Sequence, residues 1–200
     1  MVTLPLLWLV IALVVIGVGA WLWWSSSRPQ PRTRETSRNL TRQPSIFDMH
    51  IGDIVQYMGR DWVVEGKLVY EDDGFSWLEY MLQDDNDVHW LSVEEDDWVT
   101  VSLLSSVTSL DVSTSPPPEL TFEGLLYRCK ESGTAQMRRE GNPRRPDVEQ
   151  CRYFDYEGPG DRVLSIEDWD GDMEVTAGTI IAPRSLVILP GEGDSVYRQV

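Results

Sequence analysis

The chain has 200 residues, of which 42% are hydrophobic and nine are tryptophan, and its formal net charge at pH 7 is -16. This composition excludes a disordered acidic tail, because disordered segments contain few aromatic residues. Residues 1–45 carry five arginines and one acidic residue, which leaves 12 basic and 32 acidic residues in the rest of the chain. Since phosphate backbones repel so acidic a surface, we expect the globular part to bind no nucleic acid.

The first predicted element is an apolar segment, residues 4–24, that contains no charged side chain. A helix of this length spans roughly 31 Å, which matches the hydrocarbon thickness of a bilayer. Tryptophans lie near both of its ends, as in the aromatic belts of membrane proteins. The sequence therefore predicts a transmembrane helix. The alternative is a cleaved secretory signal, which would normally begin with basic residues that are missing here.

The arginines that follow this segment predict its orientation. No Lys or Arg precedes it and five Arg follow it, so the short N-terminus, residues 1–3, should lie outside and the large domain in the cytoplasm. Residues 25–45 are rich in Pro, Ser and Arg and are predicted to form a flexible stalk. The expected location is the cell membrane, with residues 4–24 in the bilayer and another membrane or envelope-associated protein as partner.

From Ile51 onward the hydrophobic pattern has a period of two, which is typical of strands. Four apolar side chains of one run are predicted to share a face: Trp62, Val64, Leu68 and Tyr70. In the next run Leu78, Tyr80 and Leu82 should oppose Trp77, Glu79 and Met81. Clusters of Asp, Asn and Gly separate such runs every eight to twelve residues. The pattern predicts an antiparallel all-β domain.

The two halves of this domain share residues at a constant spacing. Tyr80, Leu91, Ser92 and Glu94 recur 73 positions later as Tyr153, Leu164, Ser165 and Glu167. We interpret them as a tandem repeat of a small antiparallel β unit, preceded by one transmembrane helix. The predicted parts are a first unit at 46–112, a proline-containing linker at 113–118, a second unit at 119–190 and a C-terminal tail at 191–200.

These residues resemble a known bacterial family, the domain of unknown function DUF4178. The first half carries Gly52-Asp53, Gly66, Trp77-Leu78-Glu79-Tyr80 and Trp90-Leu91-Ser92-Val93-Glu94, and the second carries Tyr127, Glu131-Ser132-Gly133, Tyr153, Leu164-Ser165-Ile166-Glu167 and Gly178. The resemblance covers roughly residues 50–190. It implies a membrane-associated bacterial protein, and it transfers no catalytic residue because no activity is established for the family.

Motifs for catalysis or cofactor binding are missing from the sequence. There is no G-x-S-x-G nucleophile and no glycine-rich phosphate loop. His50 and His89 have no second ligand at metal-binding spacing, so we predict no zinc site. Cys129 and Cys151 are interpreted as free thiols, with one disulfide as the alternative. We accordingly predict no cofactor and no catalytic residue.

Acidic turns give a weak signal for metal. The run from Asp168 to Glu174 resembles a calcium loop, but Gly171 comes two positions too early and position twelve is Thr179. We interpret it as a hairpin turn at Asp170-Gly171, with a weak divalent-cation site as the alternative. Glu94 to Asp97 forms a second acidic cluster, which is interpreted as a solvated loop.

Six residues are the candidates for an interaction surface or a pocket: Trp77, Glu79, Trp90, Glu94, Glu167 and Trp169. The leading hypothesis is a non-catalytic protein-interaction module of a bacterial envelope-associated system. The first alternative is an enzyme or small-ligand sensor with a site between the two β units. A cleft that holds Glu94, Glu167 or His89 would favour this alternative. Divalent-cation binding through the acidic turns is the second alternative.

Overall fold

The computed structural model describes residues 42–197, which form eleven β-strands and one short 3₁₀ turn, Pro183–Ser185. The all-β prediction is confirmed for this part of the chain. The strands are β1 (Ile54–Tyr57), β2 (Arg60–Asp72), β3 (Phe75–Asp84), β4 (Asp87–Glu95), β5 (Val99–Ser106), β6 (Glu119–Phe122), β7 (Leu125–Gly141), β8 (Gln150–Glu157), β9 (Arg162–Trp169), β10 (Asp172–Ile181) and β11 (Val187–Leu189).

Eight of these strands form a closed antiparallel sheet, in the order β2-β3-β4-β5-β10-β9-β8-β7. The sheet closes because the second part of β2 pairs with the second part of β7, from Gly66 opposite Gly141 to Glu71 opposite Gln136. The first part of β2 pairs instead with β1, which in turn pairs with β11, and the first part of β7 pairs with β6. Closure gives the eight strands a common interior, where side chains from both halves of the chain meet.

Tight turns connect many of the strands, as the Asp-Gly signals predict. Met58-Gly59, Asp73-Gly74 and Asp170-Gly171 each join two strands with positive φ at both residues. Backbone in this left-handed region matches the twist of paired antiparallel strands, and glycine adopts it without steric cost. The hairpin interpretation of Asp170-Gly171 is therefore confirmed.

The prediction that the four apolar side chains of β2 share one face is wrong. Trp62 and Val64 belong to one hydrophobic cluster, whereas Leu68 and Tyr70 belong to another. The register with β3 shifts between Val64 and Gly66, so a β-bulge at this point exchanges the two faces of the strand. In β3 the predicted alternation is confirmed, because Tyr80 and Leu82 pack in one cluster and Trp77 and Met81 in the other.

Three hydrophobic clusters stabilise the fold. The interior cluster fills part of the closed sheet and includes Leu68, Tyr70, Trp77, Trp90 and Trp169. The first outer cluster covers β2–β5 from outside and is closed by apolar residues of segments 46–57 and 186–188. The second outer cluster covers β7–β10 and is closed by residues 107–112 and β6. Both faces of β3 and β4 are thus buried along most of their length, which explains why these two strands carry apolar residues on both sides.

The expected transmembrane helix and membrane location need correction. No helix within residues 42–197 is long and apolar enough to cross a membrane. The structure there consists of strands, and the predicted span, residues 4–24, lies outside the described residues together with most of the predicted stalk. The described residues therefore do not support a single-pass membrane protein.

The predicted tandem repeat is also not shown. The strands β1–β5 and β6–β10 follow the same order along the sheet, but β2 has 13 residues and β7 has 17. In addition, β11 of the second predicted unit pairs with β1 of the first. The unit boundaries at 112 and 119 therefore stay a prediction.

Candidate ligand site inside the closed sheet

A cavity of about 100 Å³ opens into one end of the closed sheet. Its lining comes from β3 and β4 of the first half and from β7–β9 of the second half, with further residues from β5 and β10. A space of this size can hold several water molecules or one small ligand. Six of the lining residues carry its chemistry: Trp77, Glu79, Glu94, Tyr153, Asp155 and Glu167.

Cross-strand pairing explains why these side chains meet. Trp77 is paired with Glu94 between β3 and β4, and Tyr153 is paired with Glu167 between β8 and β9. Paired residues of antiparallel strands point to the same side of the sheet, here the interior. Asp155 follows Tyr153 by two positions and so shares its side. Each acidic side chain consequently reaches the cavity by the ordinary alternation of its strand.

Glu79 and Glu167 share a tyrosine. The hydroxyl of Tyr70 donates a hydrogen bond to Glu167 Oε1 at 2.7 Å and lies 3.4 Å from Glu79 Oε2. A hydroxyl has one proton to donate, so Glu79 receives the weaker contact. Burial raises the pKa of Glu79 well above its usual value, and the nearby charge of Glu167 raises it further.

Two further carboxyl groups of the cavity have raised pKa values. Burial is the largest cause for Asp155, whose pKa rises to about 7, and nearby Glu94 and Glu167 contribute. Burial also raises the pKa of Glu94, whereas the positive charge of Lys130 lowers it. Lys130 lies at the mouth, where its Nζ is 2.9 Å from Glu157 Oε1 and both side chains are exposed. The deep part of the cavity lining therefore contains more carboxyl groups than basic side chains.

Arg145 is the buried base next to this cavity. Its side chain is 3% exposed, and it pairs with Glu174 and, through Nη2 at 3.3 Å, with Glu167 Oε2. Its guanidinium lies 4.1 Å from the ring centroid of Trp90 and 5.8 Å from that of Trp169. Such contacts are favourable cation–π interactions.

The structure brings the six predicted residues to two neighbouring places. Trp77, Glu79, Glu94 and Glu167 line the cavity, whereas the two other candidates, Trp90 and Trp169, surround Arg145. His89 lies elsewhere, with its ring 5.4 Å from that of Trp62 and its Nδ1 3.0 Å from Ser105 Oγ.

Sequence reasoning missed Tyr70, Asp155 and Arg145. The alternation from Tyr153 to Asp155 could have revealed the aspartate as an interior residue. No comparable signal marks Arg145, because it lies in the irregular segment between β7 and β8.

Arg145 also borders a second cavity, of about 490 Å³, which Trp90 lines as well. Its walls include Met81, Trp90 and Glu174, together with residues 106–108 and 110–112 of the segment that leaves β5. Glu167 lines the first cavity and Arg145 lines the second. Their ion pair therefore separates the two spaces.

In the acidic turn between β9 and β10, Asp168 is engaged by protein groups. Asp168 Oδ1 accepts a hydrogen bond from the Gly171 amide at 2.7 Å, and its Oδ2 lies 3.5 Å from Arg152 Nη1. Within the described part of the chain, no group of three or more His, Cys, Asp or Glu side chains is arranged to hold a metal ion. Cys129 and Cys151 are free thiols, as interpreted from the sequence.

The fold and the site define an all-antiparallel β protein with a closed sheet and a carboxylate-lined interior. The chain belongs to the family described as domain of unknown function DUF4178, whose model matches residues 50–183. It is similar to uncharacterised proteins of Mycobacterium bovis and Mycobacterium tuberculosis, each 28% identical over 177 residues, covering 80% of this chain and 85% of the relative. No solved structure matches the chain significantly.

Proposed function

We propose that the closed sheet is a binding module for a compact organic cation, which enters the first cavity with an ammonium group. The observation that carries the proposal is the uncompensated set of carboxyl groups in that cavity. Glu79, Glu94 and Asp155 have raised pKa values because they are buried, so their ionised forms lack sufficient partners. A ligand that brings a positive charge would supply the missing partner.

The other lining groups fit such a ligand. The rings of Trp77 and Tyr153 lie edge to face at 5.1 Å and both line the cavity. Aromatic faces attract cations, and the alkyl part of an amine gains from contact with the same rings. Ser92, Ser102 and Ser165 add hydroxyl groups that can accept N–H donors. The small volume favours a ligand of a few heavy atoms over a large cofactor.

Calorimetric titration with propylammonium tests this proposal, with uncharged propanol as the matched control ligand. We expect propylammonium to bind with a Kd of about 0.1–1 mM, in line with the affinity limits of very small ligands. At pH 8, where Asp155 is ionised, Glu94→Gln and Asp155→Asn should each weaken binding about tenfold, because each removes one negative charge from the lining. Glu95→Gln is the matched control, since Glu95 is exposed and does not line the cavity.

The proposal fails if propanol binds as well as propylammonium, because charge would then not be what the cavity recognises. It also fails if both cavity variants keep the affinity of the parent chain. A weakening by Glu95→Gln equal to that by Glu94→Gln would place binding on the general acidic surface instead.

A second candidate function is protein interaction, favoured by one specific observation. Trp98 is 74% exposed, whereas Trp62, Trp77, Trp90 and Trp169 are at most 9% exposed. Exposed tryptophans are enriched at interface hot spots. If this residue binds a protein partner, a complex co-purified with the parent chain should be lost with Trp98→Ser. Its fluorescence should also shift to shorter wavelength in the complex. A complex that survives Trp98→Ser would exclude this role.

A further inference from the structure

The surroundings of Arg145 form a cage for a planar cation. Trp90 covers one side of the guanidinium at 4.1 Å, Trp169 lies at 5.8 Å, and the carboxylates of Glu167 and Glu174 pair with it. A guanidinium can stack on an indole and donate hydrogen bonds in its own plane at the same time. This cage, defined by Trp90, Trp169, Glu167 and Glu174, is thus suited to guanidinium more than to a spherical ammonium.

Arg145 fills this cage incompletely. Its Nε and Nη2 atoms are buried without a hydrogen-bond partner among the described residues, although Nη2 lies 3.3 Å from Glu167. A buried donor without a hydrogen bond lowers stability, because it has lost its water partners and gained none in exchange. A free guanidinium compound is not tied to a backbone, so it can orient its donors toward the two carboxylates without this restriction.

The segment that delivers Arg145 is held by individual hydrogen bonds, among them Arg144 Nη2 to Gln83 Oε1 at 2.8 Å and the Asn142 amide to Glu65 O at 2.9 Å. It lies between β7 and β8, outside the sheet ladder, and the preceding Arg144 has a φ of +52°. The left-handed region is sterically unfavourable for a residue that carries a side chain. Asp147, two residues after Arg145, has a side chain that is 95% exposed. Arg139 holds the segment by donating to the carbonyl oxygens of Arg145 and Pro146.

The second cavity gives access to the cage. Trp90, Glu174 and Arg145 all line it, so a molecule in this cavity would contact the cage directly. Its volume of about 490 Å³ is large enough for a guanidinium group with a side chain attached. The cavity also contacts Arg144 and the segment that leaves β5, so the residues that would move already lie around open space.

We infer that the cage is a second cation site, specific for a guanidinium group, that the chain's own Arg145 occupies in this structure. A guanidinium ligand enters through the second cavity, replaces Arg145 between Trp90 and the two carboxylates, and releases the segment 142–149. This inference goes beyond the proposed function, because it concerns a different cavity and a different ligand class. The two sites share Glu167 as their common wall.

The full-length Arg145→Ala variant tests the cage by calorimetric titration with methylguanidinium and, as control, methylammonium. We expect the variant to bind methylguanidinium about tenfold or more tightly than the parent chain, since no resident group competes. Methylammonium should bind at least about tenfold more weakly, because it cannot stack and bridge two carboxylates together. Adding Glu174→Gln should weaken methylguanidinium binding, whereas adding Glu95→Gln, at an exposed residue outside both cavities, should leave it unchanged.

Arg145→Ala leaves two carboxylates without their partner and can prevent folding, so hydrogen exchange on the parent chain provides the deciding measurement. Methylguanidinium at millimolar concentration should speed amide exchange in residues 142–149 several-fold and leave β3 and β4 unchanged. Methylammonium should have no such effect. Unchanged exchange in 142–149 at saturating methylguanidinium would overturn the inference, as would equal binding of the two cations by the folded variant.

Failure of this inference is distinguishable from failure of the proposed function. The first cavity is tested with propylammonium and with variants at Glu94 and Asp155, neither of which belongs to the cage. Loss of propylammonium binding with intact release of segment 142–149 would reject the first site alone. Intact propylammonium binding without release of segment 142–149 would reject the cage alone.

Discussion

The interior of the closed sheet and its two covered outer faces are both buried, but they contain different chemistry. The outer clusters consist mainly of apolar side chains, such as Val64, Leu82 and Leu91 in one and Leu164 and Ile166 in the other. The interior buries Glu79, Glu167 and Arg145 beside its aromatic rings. Apolar burial is favourable in itself, whereas buried charge is costly unless it is paired.

Because of this difference, we expect the outer clusters to determine the stability of the fold and the interior residues to determine ligand binding. The outer clusters supply apolar burial that needs no further partner, and each large apolar side chain contributes about 1.5–3 kcal/mol there. The interior contains charged groups whose burial lowers stability unless they are paired. Substitutions on the two sides of one strand can test this separation.

The largest effect is expected for Leu91→Ala in the first outer cluster. Leu91 is fully buried, so its truncation should lower the free energy of unfolding by about 2–5 kcal/mol, measured by urea denaturation. The matched control is Ser92→Ala, at the next residue of β4, whose side chain lines the cavity. We expect that change to cost less than about 1 kcal/mol. Equal losses of unfolding free energy for Leu91→Ala and Ser92→Ala would contradict the difference between the outer cluster and the interior.

An intermediate effect of opposite sign is expected for Asp155→Asn. Because the folded-state pKa of Asp155 is raised to about 7, the folded protein binds more protons than the unfolded chain between about pH 4 and 7. Stability from this group is therefore present at low pH and is lost as pH rises through 7. The uncharged Asn avoids this loss.

The variant should be more stable than the parent chain by about 1–3 kcal/mol at pH 8 and nearly equal to it at pH 4. Thermal unfolding at the two pH values measures both differences. Exposed Asp97→Asn serves as the control and should change neither value. A destabilised Asp155→Asn protein at pH 8 would show that the interior charge is better paired than the geometry indicates.

The smallest effect concerns ligand affinity. As Asp155 ionises, the cavity gains negative charge, so propylammonium should bind about tenfold more tightly at pH 8 than at pH 6. The ligand stays protonated throughout this range, since alkyl ammonium groups titrate near the pKa of lysine. Calorimetry at several pH values gives the profile, and Asp155→Asn should flatten it. An affinity that falls with rising pH would rule out cation binding at this carboxyl group.

Much of the fold could be predicted because its signals are local. Alternation in β3 and the Asp-Gly turns depend on a few adjacent residues, and the structure confirms them. The face of β2 could not be predicted, because the bulge after Val64 reverses the alternation and has no unambiguous local signature. Four of the six candidate site residues meet in one cavity, but Trp90 and Trp169 adjoin Arg145 instead.

The sequence by itself determined an acidic, aromatic-rich antiparallel β domain and its family, because composition, alternation and turn residues act over short distances. Only the tertiary structure decided that the sheet closes between β2 and β7 and that Arg145 lies beside Glu167. Glu65 illustrates the reason. Its buried carboxylate accepts hydrogen bonds from the amides of Val196 and Tyr197, more than 130 positions away, at 2.7 and 3.1 Å. Contacts across such separations depend on the closed fold, which local patterns do not encode.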